Sequence, residues 1–198
     1  SPGGVDTPTH HPARCVVINE ILAHTDPPNL DYIELFNYST NSVDLSGCVL
    51  TDDPQTNKFV IPSGTTIPPL GFIAYTETEL GFALSAKGET VYLKAADNTR
   101  VLDALRFDAQ ENGVSFGRYP DGAAQFRRLS AGTLGKANAS PLHSEVVINE
   151  VYYHPVTEDN SEEFIEIRNS GSTAVDLTGW RLRGGVSFNF PSGTLLPP

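Results

Sequence analysis

From residue 15 onward, the chain alternates short runs of β-branched and aromatic residues with clusters of Pro, Gly, Asn and Asp. Such runs are typical of β-strands, and the clusters between them are typical of turns. The one stretch with helical character, residues 76–84, is too short to shape the fold. Strands at this spacing without a long helix predict an all-β sandwich. They are predicted at about 16–23, 31–37, 48–51, 58–61, 72–75, 89–95, 100–107, 114–119 and 125–129.

The same pattern occurs twice along the chain. The run Val-Val-Ile-Asn-Glu at 16–20 returns at 146–150, and the segments after it stay in step. Aligning 16–21, 33–50 and 59–69 with 146–151, 165–182 and 188–198 gives 20 identities in 35 positions. Average composition would give about one identity in fifteen by chance. The sequence therefore predicts tandem domains.

The repeat also predicts the domain boundaries. Residues 1–14 are rich in Pro and Gly and are expected to form a flexible N-terminal segment. Residues 15–138 form the first domain, 139–144 a linker, and 145–198 the first half of a second domain. Because the sequence contains no Met, we expect it to be a piece of a longer protein.

A half-sandwich would expose strand edges and one face of its core. We therefore expect residues 145–198 to be disordered in isolation or to be completed by a neighbouring molecule. Self-association through this second domain is one form that such completion would take.

Motifs in the same order as the predicted strands resemble the lamin tail domain in its bacterial form. The resemblance covers essentially all of 15–138 and the first half of the same unit in 145–198. One departure is Cys48, which stands where the second copy has Trp180. The motifs that carry the resemblance are 16–21, 31–37, 43–47, 59–69, 84–93 and 115–122, with 179–180 and 188–191 in the second copy.

The resemblance implies an immunoglobulin-like β-sandwich that brings no catalytic residues with it. Bacterial domains of this kind are repeated modules of secreted or surface proteins, often attached to enzymes or adhesive domains. The implied location is therefore extracellular or in the cell envelope. The implied partners are other proteins or attached domains of the same polypeptide.

Charge and motifs narrow the remaining function classes. A net charge of −11 argues against nucleic-acid binding and is compatible with divalent cations or basic partners. No apolar run is long enough for a transmembrane segment. Nucleophile-elbow, Walker, His-Glu-x-x-His and paired Cys-x-x-Cys motifs are absent from the sequence. These observations favour a protein that is not an enzyme.

The two cysteines, Cys15 and Cys48, both lie in the first copy. A disulfide between them would close a loop of about 34 residues and contribute about 3 kcal/mol in the chain-entropy model. The alternative is a pair of thiols that do not meet, and the sequence leaves both open.

The candidate site is an acidic cluster on the first two strands. Glu20 and Glu34 are expected to be antiparallel neighbours, with His24 on the face of Glu20 and Asp31 nearby. Carboxylates suit Ca²⁺, and a His with carboxylates suits Zn²⁺. In the alternative, the glutamates face solvent or an arginine such as Arg106 or Arg118. The repeat places the counterparts at Glu150, His154, Glu163 and Glu166.

Three functions follow, in order of preference. The first is a non-catalytic structural or interaction module that provides adhesion, spacing or docking in a larger bacterial secreted or surface protein. It needs no cofactor. The second is a divalent-cation-dependent ligand-binding module, with Ca²⁺ as the cation of the acidic cluster. The third is an accessory fragment of an enzyme whose catalytic domain lies outside this chain.

Overall fold

The computed structural model describes residues 11–142 and 144–198. The chain divides after Leu142 into two compact units. Over residues 11–142 the first unit contains eleven strands and one α-helix of a single turn, α1 (Glu77–Leu80). Its strands are β1 (Val16–Leu22), β2 (Tyr32–Asn37), β3 (Val43–Asp44), β4 (Val49–Thr51), β5 (Phe59–Val60), β6 (Thr66–Ile67), β7 (Phe72–Thr76), β8 (Gly88–Lys94), β9 (Val101–Asp108), β10 (Phe116–Arg118) and β11 (Phe126–Arg128).

These strands form two main antiparallel sheets. The first sheet has the order β11-β10-β1-β2-β7, and the second has the order β5-β4-β8-β9. Strands β3 and β6 form a separate two-stranded ladder. The short strands β3 and β6 were not predicted, because two residues are too few for alternation to be recognised.

The core of the first unit includes apolar side chains from both main sheets. Ile18 and Ile33 of the first sheet belong to the same buried cluster as Val91, Leu93 and Leu105 of the second. Val91 and Leu93 lie two positions apart on β8, as expected when one face of a strand packs inward. The predicted all-β sandwich is confirmed.

An ion pair joins the two sheets at the edge of this core. Arg118 of β10 donates from Nη2 to Asp103 of β9, with 3.0 Å between Nη2 and Oδ2. The Nε of Arg118 donates to the carbonyl oxygen of Ile18 at 2.8 Å. Asp103 in turn accepts from the backbone N–H of Ile18 at 2.8 Å.

The first unit is ordered at both ends of its predicted range. Pro12–Cys15 form a 3-10 helix, and Ala13 within it is buried in the core. The flexible segment predicted over 1–14 thus lies outside the described residues for 1–10 and is structured from residue 12. At the other end, the backbone N–H of Leu142 donates to Arg128 O at 2.7 Å, which ties the predicted linker to β11.

Both cysteines of the first unit are free thiols. Cys15 donates from Sγ to the carbonyl oxygen of Pro12 at 3.2 Å. Cys48 is buried in the core, and this burial raises the pKa of its thiol. The structure therefore agrees with the alternative in which Cys15 and Cys48 form no disulfide.

Over residues 144–198 the second unit contains three two-stranded antiparallel ladders: β12 with β13, β14 with β17, and β15 with β16. Much of its apolar surface is exposed, and Leu177 is its one fully buried large side chain among residues 144–198. The strands are β12 (Val146–Tyr152), β13 (Phe164–Asn169), β14 (Val175–Asp176), β15 (Arg181–Leu182), β16 (Phe188–Asn189) and β17 (Leu195–Leu196).

Neither described range contains a helix with the length and apolar character needed to cross a membrane.

Candidate functional site

Two glutamates meet inside the first unit. Glu20 of β1 lies opposite Glu34 of β2 in the antiparallel ladder, and each is 0% exposed to solvent. The register shifts between Ile18 and Glu20, so that Asn19 is the extra residue of a β-bulge. The expectation that Glu20 and Glu34 are cross-strand neighbours is confirmed.

The pair is covered by residues 130–138, the segment after β11, which we call the strap. Thr133 donates to Glu20 from its backbone N at 3.1 Å and from its hydroxyl at 2.9 Å. Glu34 accepts from the backbone N of Gly135 at 2.7 Å and of Lys136 at 3.2 Å. These donors replace the water that the carboxylates lose on burial. Without such donors, burying a carboxylate costs several kcal/mol.

A second layer of amide hydrogen bonds holds the strap in place. Asn19 donates from Nδ2 to Glu34 at 3.0 Å and to Asp121 at 2.9 Å. Asp121 also accepts from the backbone N of Asn138 at 3.0 Å. Asn138 donates from Nδ2 to the carbonyl oxygens of Asn19 at 3.2 Å and Arg118 at 2.8 Å. The bulge, the strap and the turn after β10 thus form one network.

This environment shifts the ionisation of Glu34. Its pKa is raised to about 7, chiefly by burial and in addition by the nearby charge of Glu20, against the lowering effect of its N–H donors. Burial also raises the pKa of Tyr32, whose hydroxyl accepts from the backbone N of Thr133 at 3.2 Å. None of the hydrogen bonds to Glu20 or Glu34 comes from an arginine, and Arg118 pairs with Asp103 instead. The carboxyl group of Glu34 therefore changes its protonation near neutral pH.

The other two predicted site residues, His24 and Asp31, form hydrogen bonds with other residues of the first unit and not with Glu20 or Glu34. The ring of His24 lies 3.0 Å from the carbonyl oxygen of Gln110 through Nδ1, and Asp31 accepts from the hydroxyl of Thr25 at 2.9 Å. Because β1 ends at Leu22, the alternation of the strand does not extend to His24. Residues 11–142 and 144–198 contain no group of three or more His, Cys, Asp or Glu side chains placed to hold a metal ion. The cation site stays a prediction.

The repeat of the pair is open to solvent. Glu150 lies opposite Glu166 with the same register shift between Ile148 and Glu150, and both glutamates are exposed. Asn149 donates to Glu166, as Asn19 donates to Glu34. The remaining counterparts, His154 and Glu163, are also exposed.

The apolar positions of the second unit are uncovered in the same way. Ile148 is 58% exposed and Val151 is 50% exposed, whereas their counterparts Ile18 and Ile21 are fully buried. A groove of about 730 Å³ lies beside these strands, and its apolar lining includes Val151, Phe164, Ile165, Ile167, Phe188 and Phe190.

The sequence did not identify the residues that satisfy the buried pair. Thr133, Gly135 and Asn138 lie in a polar stretch without strand periodicity. One signal for them existed: two like charges across a ladder require compensation. That argument calls for donors without indicating where along the chain they lie.

A family model described as Lamin Tail Domain matches residues 9–108 and 139–198. The comparison with curated proteins gave no match, and neither did the comparison with solved structures. The two matched ranges correspond to the two copies of the internal repeat, so the predicted tandem arrangement and immunoglobulin-like fold are confirmed.

Proposed function

The chain belongs to the lamin tail domain family, and from this membership we propose that it docks, spaces or attaches other domains of a larger bacterial secreted or surface protein. The family consists of immunoglobulin-like interaction domains rather than typical enzymes. The proposed module works without catalysis, and its location is extracellular or in the cell envelope.

The observation that supports a docking role is the contrast between equivalent positions of the two units. Ile18, Ile21 and Leu35 are fully buried in the first unit, whereas Ile148 and Val151 are at least half exposed. Covering exposed apolar side chains with another chain is favourable, by about 25 cal/mol for each Å² of apolar surface removed from water. The second unit therefore supplies the proposed docking surface.

In the absence of another partner, this surface should drive weak self-association of the intact chain. Analytical ultracentrifugation over a wide range of protein concentration measures it directly. We expect concentration-dependent association that is weakened by Phe188→Lys, because Phe188 lines the groove and is 48% exposed.

The matched control is Val60→Lys in the first unit, at a residue that is 53% exposed and lies outside the groove. This variant should associate like the unaltered chain. A chain that is monomeric at every concentration, or that responds equally to both variants, would refute the groove as a docking surface.

A further inference from the structure

Two connections between strands of the first unit are fastened to each other. The connection from β1 to β2 contributes His24 and Asp26, and the connection from β9 to β10 contributes Gln110, Asn112 and Gly113. Gly113 donates from its backbone N to the carbonyl oxygen of His24 at 2.8 Å, and His24 Nδ1 lies 3.0 Å from the carbonyl oxygen of Gln110. Asn112 donates from Nδ2 to Asp26 Oδ2 at 2.5 Å. We call these three contacts the clasp.

The contact between Asn112 and Asp26 depends on the side-chain amide of Asn112. The amide supplies N–H donors to the carboxylate of Asp26, whereas an ionised carboxylate at position 112 would only accept hydrogen bonds. Asp26 would then face a second negative charge, and like charges at this separation repel. This part of the clasp therefore holds only while residue 112 is an asparagine.

Asn112 lies where an asparagine can lose this amide. It is exposed in a turn, and no other asparagine of the sequence precedes a glycine. The backbone N of the following residue can attack the side-chain carbonyl carbon of an asparagine, and a side chain on that following residue hinders the attack. Gly113 carries no side chain, and even a Cβ placed there would meet no atom within 4 Å. The surroundings of Gly113 therefore leave room for the attack.

We propose that Asn112 is a site of spontaneous deamidation, and that its conversion to aspartate or isoaspartate opens the clasp. The backbone N of Gly113 loses its proton and attacks Cγ of Asn112, so that a new C–N bond closes a cyclic imide. The bond from Cγ to Nδ2 breaks, and the side-chain nitrogen leaves as ammonia with that proton. Water then adds to one of the two imide carbonyl carbons and opens the ring, which leaves aspartate or isoaspartate.

The reaction and its products both act on the clasp. Because the N–H of Gly113 is bonded to His24, the attack begins with a brief local opening of the exposed turn. Aspartate at position 112 then places a negative charge beside Asp26. Isoaspartate also lengthens the backbone before Gly113, which moves its N–H away from the carbonyl oxygen of His24. The inference concerns the first unit alone and is independent of the proposed docking function.

The first test follows the reaction in the intact chain during incubation at mildly alkaline pH. Peptide mapping with electron-transfer dissociation distinguishes asparagine, aspartate and isoaspartate at each position. The matched control within the same molecule is Asn98, which is also exposed and is followed by Thr99, whose backbone N–H is likewise hydrogen-bonded. We expect Asn112 to convert at least about tenfold faster than Asn98, because the β-branched side chain of Thr99 crowds the attack. Equal rates at the two positions, or an unconverted Asn112, would overturn the proposal.

The second test measures the clasp through hydrogen exchange of the Gly113 backbone N–H, followed by NMR. Asn112→Asp introduces one product of the reaction directly, and we expect exchange to become about tenfold faster because a hydrogen bond to a charged group is lost. Combining Asn112→Asp with Asp26→Asn restores one amide and one carboxylate in exchanged places, so the rate should return toward that of the unaltered chain. Unchanged exchange in Asn112→Asp, or a double variant that exchanges as fast as Asn112→Asp, would overturn the opening of the clasp.

Discussion

Arg118 and Asp103 connect the two sheets of the first unit through a largely buried ion pair, with 3.0 Å between Nη2 and Oδ2. The backbone of Ile18 bonds both partners, because its N–H donates to Asp103 and its carbonyl accepts from Arg118. Strand β1 is thereby fixed between a residue of the opposite sheet and its neighbour in the same sheet.

The first prediction removes the cation of this pair. Arg118→Met retains most of the side-chain volume and leaves Asp103 as an uncompensated buried charge. The free energy of unfolding of the first unit should fall by about 3–5 kcal/mol, as measured by urea denaturation of the intact chain. Arg128→Ala removes the exposed Arg128–Glu111 pair and should change the free energy of unfolding by less than about 1 kcal/mol. Equal losses in both variants would contradict a special role for the buried pair.

The second prediction concerns pH. The pKa of Glu34 is raised from 4.5 to about 7 in the folded protein, mainly by burial. Because the folded pKa lies above the unfolded one, protonation of Glu34 stabilises the fold fully below pH 4.5, and this contribution is lost as the pH rises through 7. The first unit should therefore be more stable near pH 5 than near pH 8, by on the order of 2 kcal/mol.

Urea denaturation at the two pH values measures this difference, and Glu34→Gln should largely abolish it. The matched control is Glu166→Gln at the exposed counterpart in the second unit, which should leave it unchanged. Stability that increases from pH 5 to pH 8 would contradict the raised pKa.

The third prediction tests the crowding at Gly117. In Gly117→Ala the new methyl group would lie 2.7 Å from Asn138 Nδ2 and 2.8 Å from Leu129 Cδ1, so the strap must move. We expect a loss of about 1–3 kcal/mol in the free energy of unfolding, with faster hydrogen exchange in the strap. Gly185→Ala meets no atom within 4 Å and should leave the stability of the first unit unchanged. Unchanged exchange in the strap of Gly117→Ala would show that the strap is independent of β10.

The fourth prediction concerns the cation site expected from the sequence. The oxygens of Glu20 and Glu34 already accept hydrogen bonds from Thr133, Gly135 and Lys136. We therefore expect thermal melts of the intact chain to coincide in EDTA, Ca²⁺ and Zn²⁺. A rise in Tm with one of these cations that is lost in Glu20→Ala or Glu34→Ala would establish a cation site.

The longer strands of the first unit could be predicted from the sequence because alternation is a local property. The ranges predicted for β1, β2 and β7 agree with the structure within one residue at each end. The cross-strand meeting of Glu20 and Glu34 followed from the order of the strands, because consecutive strands commonly pair as neighbours in one sheet.

The covering of that pair could not be predicted, because it depends on contacts between residues about 100 positions apart. Thr133 and Gly135 do not lie in a segment with alternating apolar and polar residues. They act through backbone N–H groups, which every residue except proline carries, so their identity gives no signal in the sequence. The position of the His24 side chain could not be predicted for a related reason. The face on which it lies depends on where β1 ends, and strand ends are the least regular part of the pattern.

The single tryptophan of the chain, Trp180, lies in the second unit and is 44% exposed, while the buried Cys48 occupies its place in the first unit. Tryptophan emission therefore originates from one domain only. A ligand that shields Trp180 from water should shift this emission to shorter wavelength, and melting of the first unit alone should leave it unchanged. Excitation at a wavelength that only tryptophan absorbs therefore gives a signal from the second unit alone, without any added label.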